Sequence, residues 1–272
     1  MTTATSPMSR LGWTFTDGMT LVGREVGRLR QEPGQIVAAL LFPVIMVVLF
    51  GYVFGSAIRV PNGGNYREYL MPGLFAMVTF SAWLGVTTRM ATDASRGVMD
   101  RFRSMPMARL AVPFGQTGAD LLIGLLMLAI MVGAGLIVGW QPHRGLMPTV
   151  EAFLLMIVLR YALSWVGVYV GLAVKNEQVA DSLVPLGLPF TMLSNAFVPT
   201  GGMPAWLRFL ADWNPVSALT AASRELFGNP GAPTGNVAWP LEHPSTAVLL
   251  WALGLLVVFV PLSLRAYTRR GR

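Results

Sequence analysis

Two histidines, one lysine and no cysteine narrow what this 272-residue chain offers for metal, P-loop or thiol chemistry. Without Cys there is no disulfide framework, no thiolate zinc site, no iron–sulfur cluster and no Cys nucleophile. His143 and His243 each stand beside a proline in a loop-like stretch, with no paired carboxylates near them, so they read as solvated loop residues and not as metal ligands. A P-loop needs Gly-x-x-x-x-Gly-Lys followed by Ser or Thr, because its backbone N–H groups and its lysine hold the phosphates. The single lysine, Lys175, is followed by Asn176, so this chain builds no such loop. No Gly-x-Gly-x-x-Gly cradle and no Ser/His/Asp order with a nucleophile elbow occurs either. Asp120 and Glu151 fall near opposite ends of apolar stretches and do not form an acid–base pair. No catalytic or metal residue is expected, and any ATP and Mg would be bound by another chain.

Three other groups of residues stand out. Arg160 lies about ten residues into a long apolar stretch. A central Arg costs roughly 2.5–3.5 kcal/mol on insertion scales, so it must face protein or a wet cavity. Tyr161 and Ser164 are its expected partners, and the charge reads either as part of a path or as a buried structural pair. A polar loop over 91–116 carries Asp93, Arg96, Gly97, Asp100, Arg101, Phe102 and Arg103 before Met105-Pro106. Charges three and four apart pair on a helix face, and Pro106 ends such a helix. Exposed Met99, Phe102 and Met105 would make it a docking knob for a cytoplasmic partner; the alternative is a solvated loop. The third group runs from Phe197 to Gly228, too apolar for a solvated loop and too interrupted for a span. Pro199, Pro204, Trp206, Trp213, Asn214, Pro215 and Arg224 mark two short helices, with Asn214-Pro215 as the break. Broken helices at membrane depth need protein or a water-filled cavity around them. A re-entrant pair over a transport path and a surface-lying lid both fit.

The elements that must hold these residues follow from composition. Hydrophobic residues make up 54% and charged residues 12% of the chain, about half the charge of an ordinary soluble domain. Stretches of about 20 apolar residues are membrane spans. They fall at about 36–58, kinked at Pro43, and at 69–90, 118–140, 150–174, 183–198 and 246–267, the fifth broken by Pro185 and Pro189. Met19, Val22, Val26 and Leu29 recur at helical spacing, so residues 16–31 read as a basic amphipathic helix lying on the inner membrane surface; the alternative is a soluble helix docked on a partner. The boundaries are therefore a cytoplasmic segment 1–35, a transmembrane domain 36–267 and a tail 268–272. The net charge is +7. Its cations sit beside apolar spans, which points to anionic lipid headgroups and not to nucleic acid. With the N-terminus inside, fourteen cations fall in inner segments and five in outer ones, so both termini are expected in the cytoplasm. Tyr52, Tyr69 and Trp140 fall where an aromatic belt would lie. Gly51/Gly55, Gly135/Gly139 and Gly167/Gly171 place small residues on one helix face, a seam within or between subunits.

In order, these strings resemble the permeases of ABC-2-type exporters, closest to the daunorubicin-resistance permease branch. The carriers are Arg28-x-Arg30-x-x-Pro33, Pro43 and Phe50-Gly51-Tyr52-Val53-Phe54-Gly55 at the first span; Tyr69-Leu70-x-Pro72-Gly73 at the second; Arg96-Gly97 through Met105-Pro106-x-x-Arg109; Asn176-Glu177-Gln178; and Phe197-Val198-Pro199, Met203-Pro204-x-Trp206-Leu207, Trp213-Asn214-Pro215-Val216 and Arg224. Together they cover nearly the whole chain. The resemblance implies an all-α polytopic membrane protein with six transmembrane helices in the bacterial plasma membrane. It implies a second permease as homodimer or heterodimer partner, and a separate P-loop ATPase. The helix at 93–104 would couple to that ATPase, and the 199–224 segment would form the outer re-entrant gate. The implied function is export of a drug, antibiotic or lipid-like metabolite. Export of a polyprenyl-linked polysaccharide is the alternative within the fold, and a non-transporting anchor or sensor subunit is the alternative outside it. Arg160 departs from the uncharged residue the family would place there, and so permits a polar or anionic substrate.

Overall fold

The computed structural model describes residues 33–54, 60, 64–97, 111–174, 176–232 and 237–269, with Gly23 and Gly27 alone from the N-terminal segment. All regular structure among them is helical. α1 (Pro33–Val48) opens into a π-helical turn at Leu49–Phe54. α2 (Tyr66–Phe80) and α3 (Ala82–Ser95) meet at Ser81, whose Oγ donates to the Val78 carbonyl at 2.7 Å. α4 (Ala111–Val138) and α5 (Leu146–Ala173) are long and apolar. α6 (Glu177–Leu183), a 3-10 turn at Val184–Leu186 and α7 (Gly187–Met192) form a broken arm. α8 (Ala205–Asp212), α9 (Pro215–Phe227) and the short α10 (Trp239–Glu242) precede α11 (Pro244–Arg269).

Four stretches among the described residues are long and apolar enough to cross a membrane: Tyr66–Ser95, Val112–Val138, Leu146–Ala173 and Pro244–Thr268. They contain most of the predicted spans 69–90, 118–140, 150–174 and 246–267. The predicted first span maps onto α1 and its π turn, with 55–59 outside the described residues. The predicted fifth, 183–198, is no continuous helix: it takes in the last residue of α6, the 3-10 turn that holds Pro185, α7 and the non-helical residues 193–198. The expected polar loop 91–116 is shorter than the spacing suggested, since α3 continues to Ser95 and α4 begins at Ala111.

α5 is the central helix, packed by α3, α4, α9 and α11. Its seam with α3 depends on missing side chains. A methyl on Gly167 would come 2.5 Å from the Trp83 carbonyl, and one on Gly171 would come 2.6 Å from Met90 Cβ and 2.7 Å from the Thr87 carbonyl. Gly167/Gly171 is thus a seam inside one subunit, where close backbone approach replaces the weak hydrophobic drive between helices in lipid. Gly139 has nothing within reach of an added Cβ, so Gly135/Gly139 is no such seam. Conversely, Leu125, Leu126, Leu136 and Ile137 on α4 and Leu249, Leu250, Leu253 and Val257 on α11 are exposed. Leucine-rich outer faces over buried polar residues are what a lipid solvent selects.

At one end, Phe75, Trp140, Phe153 and Phe227 pack edge to face with centroids 5.1–6.0 Å apart. This corrects the aromatic-belt expectation for two residues. Tyr69 and Trp140 are each only 1% exposed. Trp140 Nε1 donates to Asn229 Oδ1 at 2.7 Å, a partner inside the fold that removes its need for the interface. Tyr52 is exposed, as a belt residue would be.

Candidate functional site

The α2–α3 joint, α4, α5 and the broken arm line a half-open cavity of about 630 Å³, within the range of small-molecule sites. Met77, Phe80, Leu84, Ile123, Met127 and Leu188 supply apolar wall, and Arg89, Asp120 and Arg160 supply the charge. Phe80 stacks on Phe190 of the arm at 4.7 Å, joining the arm to the cavity rim. The arm can bend here because Pro185 lies in the 3-10 turn and Gly187 leaves space that a methyl would take from Leu84 Cδ1.

The charged cluster is tightly built. Arg89 Nη2 donates to Asp120 Oδ1 at 2.7 Å. Arg160 Nη2 lies 3.0 Å from Asp120 Oδ2, a charge contact whose alignment falls short of a hydrogen bond. Arg160 Nη1 donates to the Val78 carbonyl at 2.8 Å and its Nε to the Asp120 carbonyl at 3.2 Å. Asp120 and Arg160 are 1% and 3% exposed, and Arg89 is 22% exposed. Tyr161 and Ser164, expected as partners of Arg160, are not: Ser164 Oγ turns back to the Tyr161 carbonyl at 2.7 Å. Both lie on the helix of Arg160 itself, whereas the counter-charge comes from the facing helix. One turn after Asp120, Gly124 leaves the notch that Arg160 fills; any side chain there would overlap Arg160 Nε and Cδ. Asp120 and Gly124 are thus site residues that spacing along the sequence did not reveal. The only local signal is a carboxylate and a glycine four apart on an apolar helix.

A polar ladder continues from this cluster toward the ends of α3 and α4. Gln116 Nε2 donates to Asp93 Oδ2 at 3.0 Å, and Thr92 Oγ1 donates to Glu177 Oε1 at 2.8 Å. Asp93 is therefore packed into the α3–α4 seam instead of opening a separate loop helix. Arg96 caps α3, and Gly97 follows in the left-handed region, φ +69°, a conformation that ends helices and suits glycine. Asp100, Arg101, Phe102 and Arg103 lie outside the described residues, as does all of helix 16–31 except Gly23 and Gly27.

The 193–224 segment forms a second polar construction. Asn214 caps α9 by accepting from Val216 N at 2.8 Å, while its Nδ2 donates to the Phe190 and Leu193 carbonyls. Pro215 occupies the first turn of α9, where no N–H is needed. Arg224 is fully enclosed: its Nε and Nη2 reach the Tyr69 carbonyl, Nη1 reaches Asn195 O at 2.9 Å, and Nη2 reaches Ala196 O at 3.0 Å. Its guanidinium lies 3.6 Å from the Tyr69 ring centre. Gly73 lets this turn approach, since a methyl there would overlap the Ala196 carbonyl. Pro199 and Pro204 precede a 3-10 turn and α8 respectively. On α8, Trp206, Phe209, Leu210 and Trp213 form an exposed stripe at helical spacing. Apart from Pro199 and Pro204, the predicted residues thus divide. Asn214, Pro215 and Arg224 are internal anchors, and Trp206 and Trp213 face outward.

Residues 17–227 match the family described as ABC-2 type transporter. The chain belongs to the ABC-2 type transporter family. It is 30% identical over 255 residues to a daunorubicin resistance ABC transporter permease protein of Streptomyces coeruleorubidus, covering 93% of this chain and 86% of that one. A doxorubicin resistance ABC transporter permease protein of Mycobacterium tuberculosis is 29% identical, with 87% and 84% covered. A putative transport permease of Porphyra purpurea is 26% identical, with 77% and 73% covered. Within this ABC-2 chain, the family match runs through α9 and takes in the charged cavity, the ladder and the Arg224 anchor.

Proposed function

We propose that this chain is the permease subunit of an ATP-driven exporter that moves a hydrophobic or amphipathic compound, a drug, antibiotic or lipid-like metabolite, out of a bacterial cell. The observation that carries the reading is the largely apolar cavity of about 630 Å³ set among membrane-crossing helices in a chain of this family. Apolar walls take a lipophilic body, and buried polar groups fix its orientation. ATP and Mg belong to a separate ATPase, two permeases pair, and the segment from Arg96 to Arg103 is the seat of that ATPase. α1 with its π turn and the arm α6–α7 complete six crossings, with both termini in the cytoplasm and α8–α9 as the outer gate. The ladder from Glu177 and Asp93 to Arg89 connects the ATPase side of α3 to the cavity. Docking can drive the permease only if ATP-bound and ATP-free partners bind it differently.

The test is co-purification with an ATPase encoded beside it, followed by uptake into inverted vesicles of anionic, neutral and cationic amphiphiles, doxorubicin among them. ATP-dependent uptake that needs both chains supports the reading. Failure to associate with any ATPase, or transport by this chain alone without ATP, overturns it.

A further inference from the structure

We infer that the cavity holds the anionic head of an amphiphile, a carboxylate or phosphate carried on a lipophilic body. The inference rests on the permease reading only for the route the compound takes. The site itself follows from charge. The ionised side chains of the lining are Arg89, Asp120 and Arg160, two cations to one anion. Asp93, one turn further along α3, lies outside the lining and engages Gln116. Glu177, the next carboxylate of the ladder, accepts from Thr92 and is also outside it.

The two arginines differ in how fully they are used. Arg160 has two carbonyl acceptors and one carboxylate and is almost completely enclosed. Arg89 gives Nη2 to Asp120 but keeps a buried Nε that has no hydrogen-bond partner among the described residues. It is also the most accessible member of the cluster. The part of the Arg89 guanidinium that is open to the cavity is what an entering anion meets, since the planar fork donates to carboxylate or phosphate oxygens side by side. The low-dielectric surroundings strengthen that attraction and equally repel an ammonium. Thr88, also in the lining, adds a hydroxyl for a second oxygen, whereas the Ser81 hydroxyl is already given to the Val78 carbonyl. The tail of the amphiphile then runs along Leu84, Met127 and Leu188.

The permease with its ATPase, in phosphatidylcholine nanodiscs, is titrated with 11-(dansylamino)undecanoic acid, its methyl ester and a trimethylammonium analogue. The carboxylate should bind at least tenfold more tightly than the ester and the cation more weakly than either. Arg89→Gln should remove the carboxylate preference while ester binding persists, and Arg89→Lys should keep part of it. Leu84→Trp, which fills the cavity without touching the charges, should weaken carboxylate and ester alike. Equal affinity of all three probes overturns the inference, as does an unchanged preference in Arg89→Gln. Undiminished carboxylate binding in Leu84→Trp also overturns it, because the anion then sits elsewhere. Competition by phosphatidylglycerol in the disc, with no release on ATP addition, identifies a resident lipid head; ATP-dependent release identifies cargo. Binding is read without turnover, so a failed transport assay leaves this result standing, and a failed binding assay leaves the permease reading standing.

Discussion

Asp120 is the residue on which two arginines converge, so its removal is the sharpest perturbation of the buried site. Asp120→Asn keeps the shape of the side chain and the backbone carbonyl that Arg160 Nε uses. It removes the negative charge 2.7 Å from Arg89 Nη2 and 3.0 Å from Arg160 Nη2. Breaking a buried pair by removing one partner costs about 3–5 kcal/mol, because the other charge stays behind. Arg160 retains the Val78 carbonyl, so the lower end, about 3 kcal/mol, is expected, roughly a 150-fold fall in the folded-to-unfolded ratio. Arg160→Met should cost less, since Asp120 keeps Arg89. The pair Asp120→Leu with Arg160→Met should recover part of the loss, because the enclosed Arg160 charge is gone while the more exposed Arg89 still lacks its carboxylate. Reversible unfolding in mixed dodecylmaltoside–SDS micelles measures all three. An Asp120→Asn variant within about 0.5 kcal/mol of the parent, or a double variant as costly as the sum of the singles, would refute the reasoning.

Three further outcomes follow from other parts of the fold. Gly171→Val brings branched carbon against Met90 Cβ and the Thr87 carbonyl, an overpacking expected to cost about 1–3 kcal/mol; an unchanged melting temperature in detergent would count against the α3–α5 seam. Arg224→Lys keeps the charge but loses the planar fork that reaches three carbonyls and lies on Tyr69. It should lose about 2 kcal/mol of stability and at least tenfold in export, read by melting and by efflux; parental values in both would dismiss the anchor. Gly97→Val, Asp100→Lys and Phe102→Asp should each leave ATP hydrolysis running while export falls at least tenfold. For Gly97 the strain of a left-handed backbone adds about 1–2 kcal/mol. Normal drug efflux in all three would remove the coupling assignment.

Composition and local punctuation made much of this protein legible. Long apolar stretches dictate helices, because lipid offers no partner to an unpaired backbone group. Asn214-Pro215 marks the start of α9 and Pro185 the interruption of the arm, whereas Gly97, read from the sequence as part of a 93–104 helix, instead follows the end of α3. Each of the first two is a property of one or two adjacent residues and needs no knowledge of what packs nearby. The same logic flagged Arg160, since a charge inside an apolar stretch demands shelter wherever that shelter is.

What provides the shelter was a different matter. Asp120 is 40 residues from Arg160, and neither has a neighbour in sequence that names the other. Helices that are apolar on most sides give little periodicity from which to read rotation. Only the packing of α5 against α4 decides that the Arg160 side chain enters the notch at Gly124 beside a carboxylate. The same holds for Trp140 and Tyr69, whose type suits an interface and whose partners lie inside. The sequence by itself determined that charge is buried in an apolar helical body, because that follows from residue type and run length. Which charges meet, and that they leave an excess cation on a cavity wall, was decided only by tertiary structure, because helix rotation and register are set by side chains that are far apart along the chain.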